Sequence, residues 1–420
     1  MCVHPFHPTV YNKKDKKRGG NIILTVSVLS IICLFSIMML LIQTVRGLEK
    51  IPIITRKAAG IKQGPLVSVI IAAKEEEKHI EKTIKSLFNQ IYSNMEVIVV
   101  NDRSEDNTGK IVDKLANKKE EHKDIRYDPI HIRCLPDGWL GKNHALHQGY
   151  LQSKGDYLLF TDADITFHSK SLSNVMEYVT ANHAEHLSMS PHFRCSSFPL
   201  KAFIHLFLGI FCFIVQPWKV FEQGDKQQGM GVGAFNLIKR STYQDLGTHQ
   251  AFPLEPLDDV ELGRKASALN CNQHFVIGKE LIEVEWYPTL KEAINGFKKN
   301  LFGATGYKLS NAIIFTLVLI LLGIYPFIGV FLFEGWNFFI CLLSLLFLFT
   351  LYTIGIQKVS FPSWSFIAEL VIFPLTTICY IYTLHLSAYA AIKKGGIYWR
   401  GTFYSLQELK KAKQGERAAK

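Results

Sequence analysis

Two aspartates separated by one residue give the clearest indication of chemistry in this chain. Asp162 and Asp164 follow the apolar run at 157–160, which predicts a buried strand. Carboxylates at the end of such a strand can share a divalent cation with a phosphorylated ligand, because ions such as Mg²⁺ take one or two protein carboxylates and complete their coordination with phosphates and water. The motif alone is short and occurs by chance in many proteins, so its meaning depends on the rest of the chain.

The elements around this motif alternate between strand and helix. The predicted order is strand 66–72, helix 76–90, strand 95–100, a turn at 101–104, a helix ending at residue 115, and strand 157–160. Alternation of this kind predicts an α/β fold with a parallel sheet and right-handed crossovers. Ligands bind such sheets beyond the carboxyl ends of the strands, so the three strand ends are expected to meet at the aspartate motif.

The apolar residues, 48% of the chain, are concentrated in segments near both ends. Residues 21–43 form an uncharged run long enough to cross a bilayer, and no small-residue cleavage site follows it. A retained transmembrane anchor is therefore predicted there, followed by a linker at 44–64. A C-terminal membrane region is predicted over 311–392, with apolar stretches at 312–333, 336–356 and 364–392, the last containing Pro374.

Between these membrane segments a soluble domain is predicted over residues 65–290. Residues 200–215 are apolar but short, and a crossing there would place Asp162 and the later acids on opposite sides of the membrane. An interfacial helix is therefore predicted over 199–220. Residues 291–310, which mix lysine with phenylalanine and leucine, are predicted to lie in the interface as well.

The positive charge lies mainly in two tails. The net charge is +11, of which residues 1–20 carry +4 and residues 393–420 carry +6, leaving +1 for the rest. The domain therefore lacks the basic face that nucleic-acid binding needs. Basic tails beside membrane spans suit anionic lipid head groups and a cytoplasmic location, although solvated tails that only aid topology explain them equally well. Eight cysteines without a C-x-x-C pair indicate neither a disulfide framework nor a zinc site.

Six segments along the chain together carry a family resemblance. They are VSVIIAAKEEE (67–77), VVNDRSED (99–106), GWLGKNHA (138–145), TDAD (161–164), GVGAF (231–235) and PLDDVELG (256–263). This ordered set resembles family 2 glycosyltransferases over residues 65–290. Segment 138–145 and the C-terminal segment 398–404 are similar to carotenoid-acid (diaponeurosporenoate) and hopanoid-associated glycosyltransferases, which are membrane-bound. The resemblance implies a GT-A-type mixed, mostly parallel sheet with helices on both faces, plus transmembrane helices at the N-terminus and C-terminus.

The resemblance also implies roles for residues that would bind a nucleotide-sugar. Asp102 would accept a hydrogen bond from the uracil N–H, and Glu76 would lie close to the base or ribose. Lys142 would position the nucleotide as a point charge. Asp162 would face the ribose and the metal, and Asp164 would ligate the Mg²⁺ or Mn²⁺ ion that bridges the diphosphate. The alternatives are a turn acid at 102, a helix-first-turn acid at 76 and a surface lysine at 142.

Asp259 is the predicted catalytic base. Transfer with inversion needs one carboxylate to take the acceptor hydroxyl proton, and the second acid of the family's Glu-Asp pair aligns with Asp259. Asp258 then holds the first position of that pair and is assigned to nucleotide-sugar binding. Two acids at a helix start could instead only complement the helix dipole. His249 could line the acceptor or phosphate side, but a loop histidine without a role is the preferred interpretation.

Three departures from the family pattern narrow the prediction. Glu75 replaces the usual Asn before the first acid and Ala72 replaces the usual Pro, which leaves the nucleotide contacts there uncertain. The Gln-x-x-Arg-Trp motif of processive synthases is absent, with residues 302–306 in that neighbourhood, which favours transfer of a single sugar. The tail at 400–402 departs from the Lys/Arg-Gly-Arg form, so an active-site role for it is not predicted.

The sequence thus predicts an inverting, metal-dependent transfer of one sugar from a nucleotide-sugar, a UDP-sugar, to a lipid acceptor in contact with membrane lipids. A processive polysaccharide synthase and a non-catalytic membrane protein with the same fold remain alternatives. The predicted location is the cell membrane, multi-pass, with a cytoplasmic catalytic domain. Three full crossings after that domain would place the basic tail outside, against the positive-inside tendency. One C-terminal stretch is therefore predicted to be re-entrant or interfacial, or 364–392 to divide at Pro374.

Overall fold

Seven strands of the described residues form the central sheet. The computed structural model describes residues 13–118, 125–221, 229–299, 301–361, 365–399 and 402–407. The strands of this sheet are β1 Val67–Ala73, β2 Met95–Asp102, β3 Arg126–Ile132, β4 Tyr157–Thr161, β6 His186–Ser190, β8 Asn236–Lys239 and β9 Gln273–Ile277. Their order across the sheet is β3-β2-β1-β4-β8-β6-β9. Strands β1 to β4 pair in parallel, β8 is antiparallel to both β4 and β6, and β6 pairs in parallel with β9. The predicted mixed, mostly parallel sheet is confirmed.

Helices cover both faces of this sheet. Those of the first half of the domain are α2 Ile80–Phe88, α3 Thr108–Ala116, α4 Gly141–Gln152 and α5 Ser171–Asn182. Helices α2, α3 and α5 pack into the large apolar core on one face, whereas Leu146 of α4 packs against Ile70 on the other. Strand β2 is buried along its whole length. Burial on both faces explains why the central strands are continuous apolar runs instead of alternating ones.

Two elements differ from the sequence prediction. The helix expected at 76–90 begins only at Ile80, because Glu75 adopts a left-handed backbone with φ of 57° and the Glu76 N–H donates to Thr108 Oγ1 at 2.8 Å. Strand β3 was not predicted, since Pro129 interrupts its pattern. It lies at the sheet edge, where a residue without an N–H loses no ladder hydrogen bond to an outer neighbour.

The remaining elements of the domain complete the site and its supports. A second sheet has the order β5-β10-β7, formed by β5 Ile165–Phe167, β7 His192–Phe193 and β10 Ile282–Val284. The helices are α6 Phe198–Val215, α7 Arg240–Asp245, α8 Asp258–Ala268 and α9 Leu290–Phe297, with short 3₁₀ turns at Pro217–Phe221 and His249–Ala251. Helix α6 packs against α9, so its placement relative to a membrane surface stays a prediction.

Apolar helices of very different lengths stand at both ends of the described chain. They are α1 Lys13–Glu49, α10 Leu301–Ala304, α11 Leu309–Gly323, α12 Tyr325–Leu332, α13 Gly335–Val359, α14 Ser365–Val371 and α15 Phe373–Lys394. By length and composition, four helices of the described residues could cross a membrane, namely 23–49, 198–215, 335–359 and 373–394. Helices α11 and α12 together could form a fifth span that is bent by 44°.

The last apolar stretch is interrupted as predicted. Helix α14 ends at Val371 and α15 begins at Phe373, with Pro374 in its first turn. Proline is tolerated there because the first N–H groups of a helix have no intrahelical partner. After α15 a hairpin forms from β11 Gly396–Trp399 and β12 Thr402–Ser405. Most of the two basic tails, together with 400–401 of the C-terminal motif, lies outside the described residues.

The domain is attached to the membrane-type helices through a lysine. Lys279, between β9 and β10, donates from Nζ to the carbonyl oxygens of Gln357 at 2.6 Å and Ser360 at 3.0 Å. These carbonyls belong to the end of α13, where the last turn leaves backbone acceptors without helical partners. The chain after α1 adds a second attachment, because Ile54 N–H donates to the Ile277 carbonyl of β9. Lys279 therefore both caps α13 and holds it against the sheet domain.

Candidate active site

All the site residues predicted from the sequence line one cavity of about 800 Å³. They are Glu76, Asp102, Lys142, Asp162, Asp164, Asp258 and Asp259. Glu76 follows β1, Asp102 ends β2, and Asp162 and Asp164 follow β4. These three strands are parallel neighbours, so their carboxyl ends open at the same edge of the sheet. The topology alone therefore brings acids from distant parts of the sequence to one place.

Lys142 forms ion pairs with acids from two distant parts of the sequence. It is the second residue of α4, its side chain is only 16% exposed, and Nζ lies 2.9 Å from Asp162 Oδ1 and 3.2 Å from Asp258 Oδ1. A surface lysine at a turn is therefore the wrong interpretation. A positive charge between two carboxylates reduces their mutual repulsion.

The backbone of Gly233 links Asp162 to Asp259. Its N–H donates to Asp259 Oδ2 at 2.7 Å, and its carbonyl accepts from the Asp162 N–H at 3.1 Å. A Cβ atom at this position would lie 2.6 Å from Asp162 Oδ2 and 3.4 Å from Asp259 Oδ2. A side chain at position 233 would therefore displace the Asp162 carboxylate, and the carboxylates of Asp162 and Asp259 both lie beside this point.

Asp259 has the electrostatic surroundings of a proton acceptor. Removal from solvent, and then the neighbouring Asp258 charge, raise the pKa of Asp259 to about 6. A carboxylate with a pKa near the working pH accepts a proton more readily than an ordinary aspartate. Asp258 and Asp259 also lie in the first turn of α8, so both carboxylates also interact favourably with the dipole of that helix.

A methyl group at Gly231 should displace the candidate base. A Cβ atom there would lie 1.6 Å from the Asp259 carbonyl oxygen, so Gly231→Ala must shift the start of α8. We expect kcat for sugar transfer to fall about a hundredfold, since misplacing a reacting group by about 1 Å has that order of effect. The check is a rate assay together with circular dichroism and UDP binding. A variant that folds, binds UDP and keeps its full rate would contradict the close packing of this loop.

A series of hydrogen bonds between buried polar side chains ends at the backbone carbonyl of Asp259. Asn236 Nδ2 donates to the Asp259 carbonyl at 3.2 Å, and Asn236 Oδ1 lies 2.6 Å from His186 Nε2. Gln273 Nε2 lies 2.6 Å from His186 Nδ1. Gln273 can only donate there, so Nδ1 accepts and Nε2 donates, which makes the imidazole neutral. Burial lowers the pKa of His186 to about 4, in agreement with this assignment.

His186 should make the domain sensitive to acid. Between about pH 6.5 and about pH 4 an unfolded His186 binds a proton that the folded protein excludes, so the free energy of unfolding decreases as the pH falls. The loss should reach about 3 kcal/mol at the lower limit. Melting temperatures recorded from pH 7 to pH 4 should therefore fall less steeply for His186→Gln than for the wild type. Parallel curves for the two proteins would refute the prediction.

Asp102, the acid predicted to bind the uracil base, is paired with an arginine. Asp102, with a side chain only 4% exposed, accepts from Arg103 Nε at 2.7 Å and from Nη2 at 3.0 Å. It does not cap α3, because the Thr108 N–H donates to Asp106 Oδ1 instead. Glu76 lies four residues before α2 and lines the cavity, so it is not a first-turn acid of that helix. Arg103 also lines the cavity and was missed, although it directly follows Asp102 in the motif.

Asp162 and Asp164 suit a hard divalent cation that has other ligands as well. Both carboxylates line the cavity, and oxygen donors of this kind are what Mg²⁺ and Mn²⁺ prefer. In the part of the chain that the structure describes, no group of three or more His, Cys, Asp or Glu residues could hold a metal alone. An ion at these two carboxylates would have to take its remaining ligands from elsewhere.

His249 lies behind the cavity and does not line it. Its ring is buried, with Nδ1 2.5 Å from the Tyr243 hydroxyl and an edge contact to Phe160. Burial lowers the pKa of His249 to about 3, so it stays neutral. This position agrees with the preferred interpretation of a histidine without a role in the reaction.

The cavity continues from the acids into the apolar helices. Its wall includes Ile37 and Leu40 of α1, residues 206–214 of α6, Phe315 and Leu319 of α11, and Leu348 and Leu351 of α13. Phe193, Phe207, Trp286 and Tyr287 also line it, and Phe207 and Trp286 are in edge contact at 5.5 Å. The cavity thus has a polar part, formed by the acids, and an apolar part, formed by the helices.

Comparisons with known proteins agree with this geometry. Residues 68–245 match the family model described as "Glycosyl transferase family 2". The "Probable glycosyltransferase YdaM" of Bacillus subtilis (strain 168) is 39% identical over 108 residues, 25% of this chain and 24% of that protein. The "4,4'-diaponeurosporenoate glycosyltransferase" of Staphylococcus haemolyticus (strain JCSC1435) is 24% identical over 240 residues, 56% of this chain and 60% of that protein. The chain thus spans less than two-thirds of either relative.

A solved structure supports the fold. The mannosyltransferase of Pyrobaculum calidifontis in complex with GDP-Man and Mn²⁺ aligns over 88% of this chain and 98% of its own, with a TM-score of 0.51 and 17% identity. The predicted GT-A-type architecture and the resemblance to diaponeurosporenoate glycosyltransferases are both confirmed.

Proposed function

Residues 68–245 form a family 2 glycosyltransferase domain, and from that premise we propose that this protein transfers a single sugar from a UDP-sugar to a lipid acceptor, with inversion. The observation that carries this proposal is the continuity of the cavity, which joins the carboxylates to a wall of apolar helices. A lipid could place its apolar chain between the helices and its reactive group beside Asp259. The named substrate of the Staphylococcus haemolyticus relative, diaponeurosporenoate, supports an apolar acceptor.

Asp259 would act as the general base. Its carboxylate takes the proton of the acceptor hydroxyl as that oxygen attacks the anomeric carbon from the face opposite the leaving nucleotide. The Gly233 N–H orients the carboxylate through Oδ2, and the supporting chain through Asn236 holds its backbone. The raised pKa makes Asp259 a stronger base than an ordinary aspartate.

The donor would be held by charge and hydrogen bonds at the sheet edge. Asp102 would accept the uracil N–H, with Glu76 beside the base or ribose. Lys142, between Asp162 and Asp258, would place its positive charge near the diphosphate. Asp162 and Asp164 would hold a divalent cation that offsets the charge developing on the leaving diphosphate. The Mn²⁺ named for the mannosyltransferase of Pyrobaculum calidifontis supports such an ion.

The enzyme would be a multi-pass membrane protein with its transfer site on the cytoplasmic side, where nucleotide-sugars are found. Four helices of sufficient length and apolar character support membrane insertion. The 44° bend between α11 and α12 suits a re-entrant segment, which supports a topology that returns the basic tail to the cytoplasm. A reporter or cysteine tag at residue 415 tests this topology, and an external tag would refute it.

The decisive test uses membranes that contain the full chain. They are incubated with radiolabelled UDP-sugars, Mn²⁺ or Mg²⁺ and extracted lipids, and the products are separated by thin-layer chromatography. A labelled lipid with one sugar added, absent from membranes with Asp259→Asn, is the expected result. Long water-insoluble polymer would favour a processive synthase, and the absence of both UDP binding and product would favour a non-catalytic protein.

A further inference from the structure

A charged cluster lies among the apolar helices, on elements that carry none of the catalytic acids. Glu369 of α14 accepts at Oε2 from His205 Nδ1 of α6 at 2.6 Å and from the Tyr352 hydroxyl of α13 at 2.8 Å. At Oε1 it meets Lys201 Nζ at 3.6 Å and Ser365 Oγ at 3.4 Å. We name these residues the Glu369 cluster; it joins three helices.

The cluster is more deeply buried than a simple helix contact requires. Glu369 is 1% exposed and His205 is 3% exposed. Burying ionisable groups costs free energy, and apolar residues of similar volume would hold three helices together as well or better. Ionisable residues among apolar helices of membrane proteins accordingly tend to mark binding sites or pathways.

Two polar atoms of the cluster remain for a ligand. His205 and Tyr352 both line the cavity that contains Asp259. His205 uses Nδ1 on Glu369, so Nε2 is the ring nitrogen that remains. The Tyr352 hydroxyl donates its proton to Glu369, so its oxygen remains an acceptor. Among the residues that the structure describes, neither atom has a further hydrogen-bond partner.

The hydrogen bonds of the cluster decide which ligand it suits. Lys201 offsets Glu369, so a cation would meet a carboxylate that is already paired. The Tyr352 oxygen can only accept, because its proton is used on Glu369, so the ligand must bring a hydrogen-bond donor. Within an otherwise apolar wall the matching group of a lipid is a hydroxyl, which can donate to this oxygen.

We propose that the Glu369 cluster binds a second hydroxyl group of the acceptor lipid, carried on its apolar chain away from the group that receives the sugar. This inference rests on the proposed function, because it assumes that the apolar part of the cavity holds the acceptor chain. It narrows the acceptor class to lipids with polar groups at two separated positions. Lipids that lack the second hydroxyl would still fit the cavity but would bind more weakly.

Binding of simple alcohols to the purified full chain tests this inference without turnover. The probes are pairs of a straight-chain monohydric alcohol and an α,ω-diol of the same length, over a series of increasing chain lengths. The readout is the ligand-dependent melting temperature in detergent. At the optimal length the diol should bind the wild type about fivefold more tightly than the alcohol, the effect of one added hydrogen bond. In Tyr352→Phe, which lacks the accepting oxygen, the ratio should fall to about one.

Tyr325→Phe is the matched control. Tyr325 is also a hydrogen-bonded tyrosine among the apolar helices, with its hydroxyl 2.7 Å from Ser30 Oγ, but it does not line the cavity. This variant should keep the wild-type preference for diols. Equal binding of the two probes by the wild type, or an unchanged ratio in Tyr352→Phe, would overturn the second-hydroxyl site while leaving the lipid acceptor intact. Failure of both probes to bind would overturn the lipid acceptor as well.

Discussion

Replacing Asp259 by asparagine should lower kcat for sugar transfer about a thousandfold, because a positioned general base contributes a factor of about 10² to 10⁴. Asparagine can still accept the Gly233 N–H, so the loop and the start of α8 should keep their places. UDP affinity should therefore change by less than about threefold, a loss of at most about 0.7 kcal/mol. Single-turnover rates and calorimetric UDP binding, measured on the same preparation, separate the two effects.

The control for this variant is Asp245→Asn, an exposed acid at the end of α7. It should retain the wild-type rate. The wild-type rate should also fall with acid, since the pKa of Asp259 is raised to about 6 and only the carboxylate accepts the proton. Below about pH 6 we expect a tenfold loss in kcat for each pH unit. A pH-independent rate down to pH 5, or full activity in Asp259→Asn, would assign the base elsewhere.

Removal of divalent cations should reduce transfer at least about a hundredfold, a loss of several kcal/mol of charge stabilisation on the leaving diphosphate. Excess chelator should abolish product formation, and added Mn²⁺ or Mg²⁺ should restore it. Asp164→Asn should lose a similar factor and should need more metal for half-maximal activity. The measurement is the transfer rate as a function of free metal concentration.

Two variants control each other in this experiment. Asp259→Asn should still bind UDP more tightly with Mn²⁺ than without it, whereas Asp164→Asn should lose that difference. This outcome would separate a metal-holding carboxylate from a proton-accepting one within the same cavity. Full activity in chelator would rule out the metal, and the carboxylates of Asp162 and Asp164 would then need another role.

The polar end of the site could be predicted because it depends on local pattern and on one rule of topology. Asp102 and Asp162 each follow an apolar run that is too short for a helix of ordinary length, and parallel strands must open their carboxyl ends at one edge. The role of Asp259 as the base could be predicted only from the family resemblance, since nothing in its local sequence distinguishes a base from an acid at a helix start.

Other features depend on contacts that sequence spacing does not encode. The pairing of Lys142 with Asp258 joins α4 to the start of α8, and His186 supports Asp259 only through Asn236. The Glu369 cluster forms because α6 meets α13 and α14, and helix packing of this kind follows no short motif. Helix α2 begins later than predicted because tertiary hydrogen bonds to the start of α3 and the loop before it replace its first turn.

The lysine cap on α13 has a consequence for substrate choice. Because Lys279 fastens the sheet domain to the end of a membrane-type helix, the carboxylates stand at one set height relative to that helix. The proposed lipid acceptor would then have to bring its reactive oxygen to this level, whatever the length of its hydrocarbon. The anchoring would therefore select lipids by the depth at which their head groups lie in the bilayer.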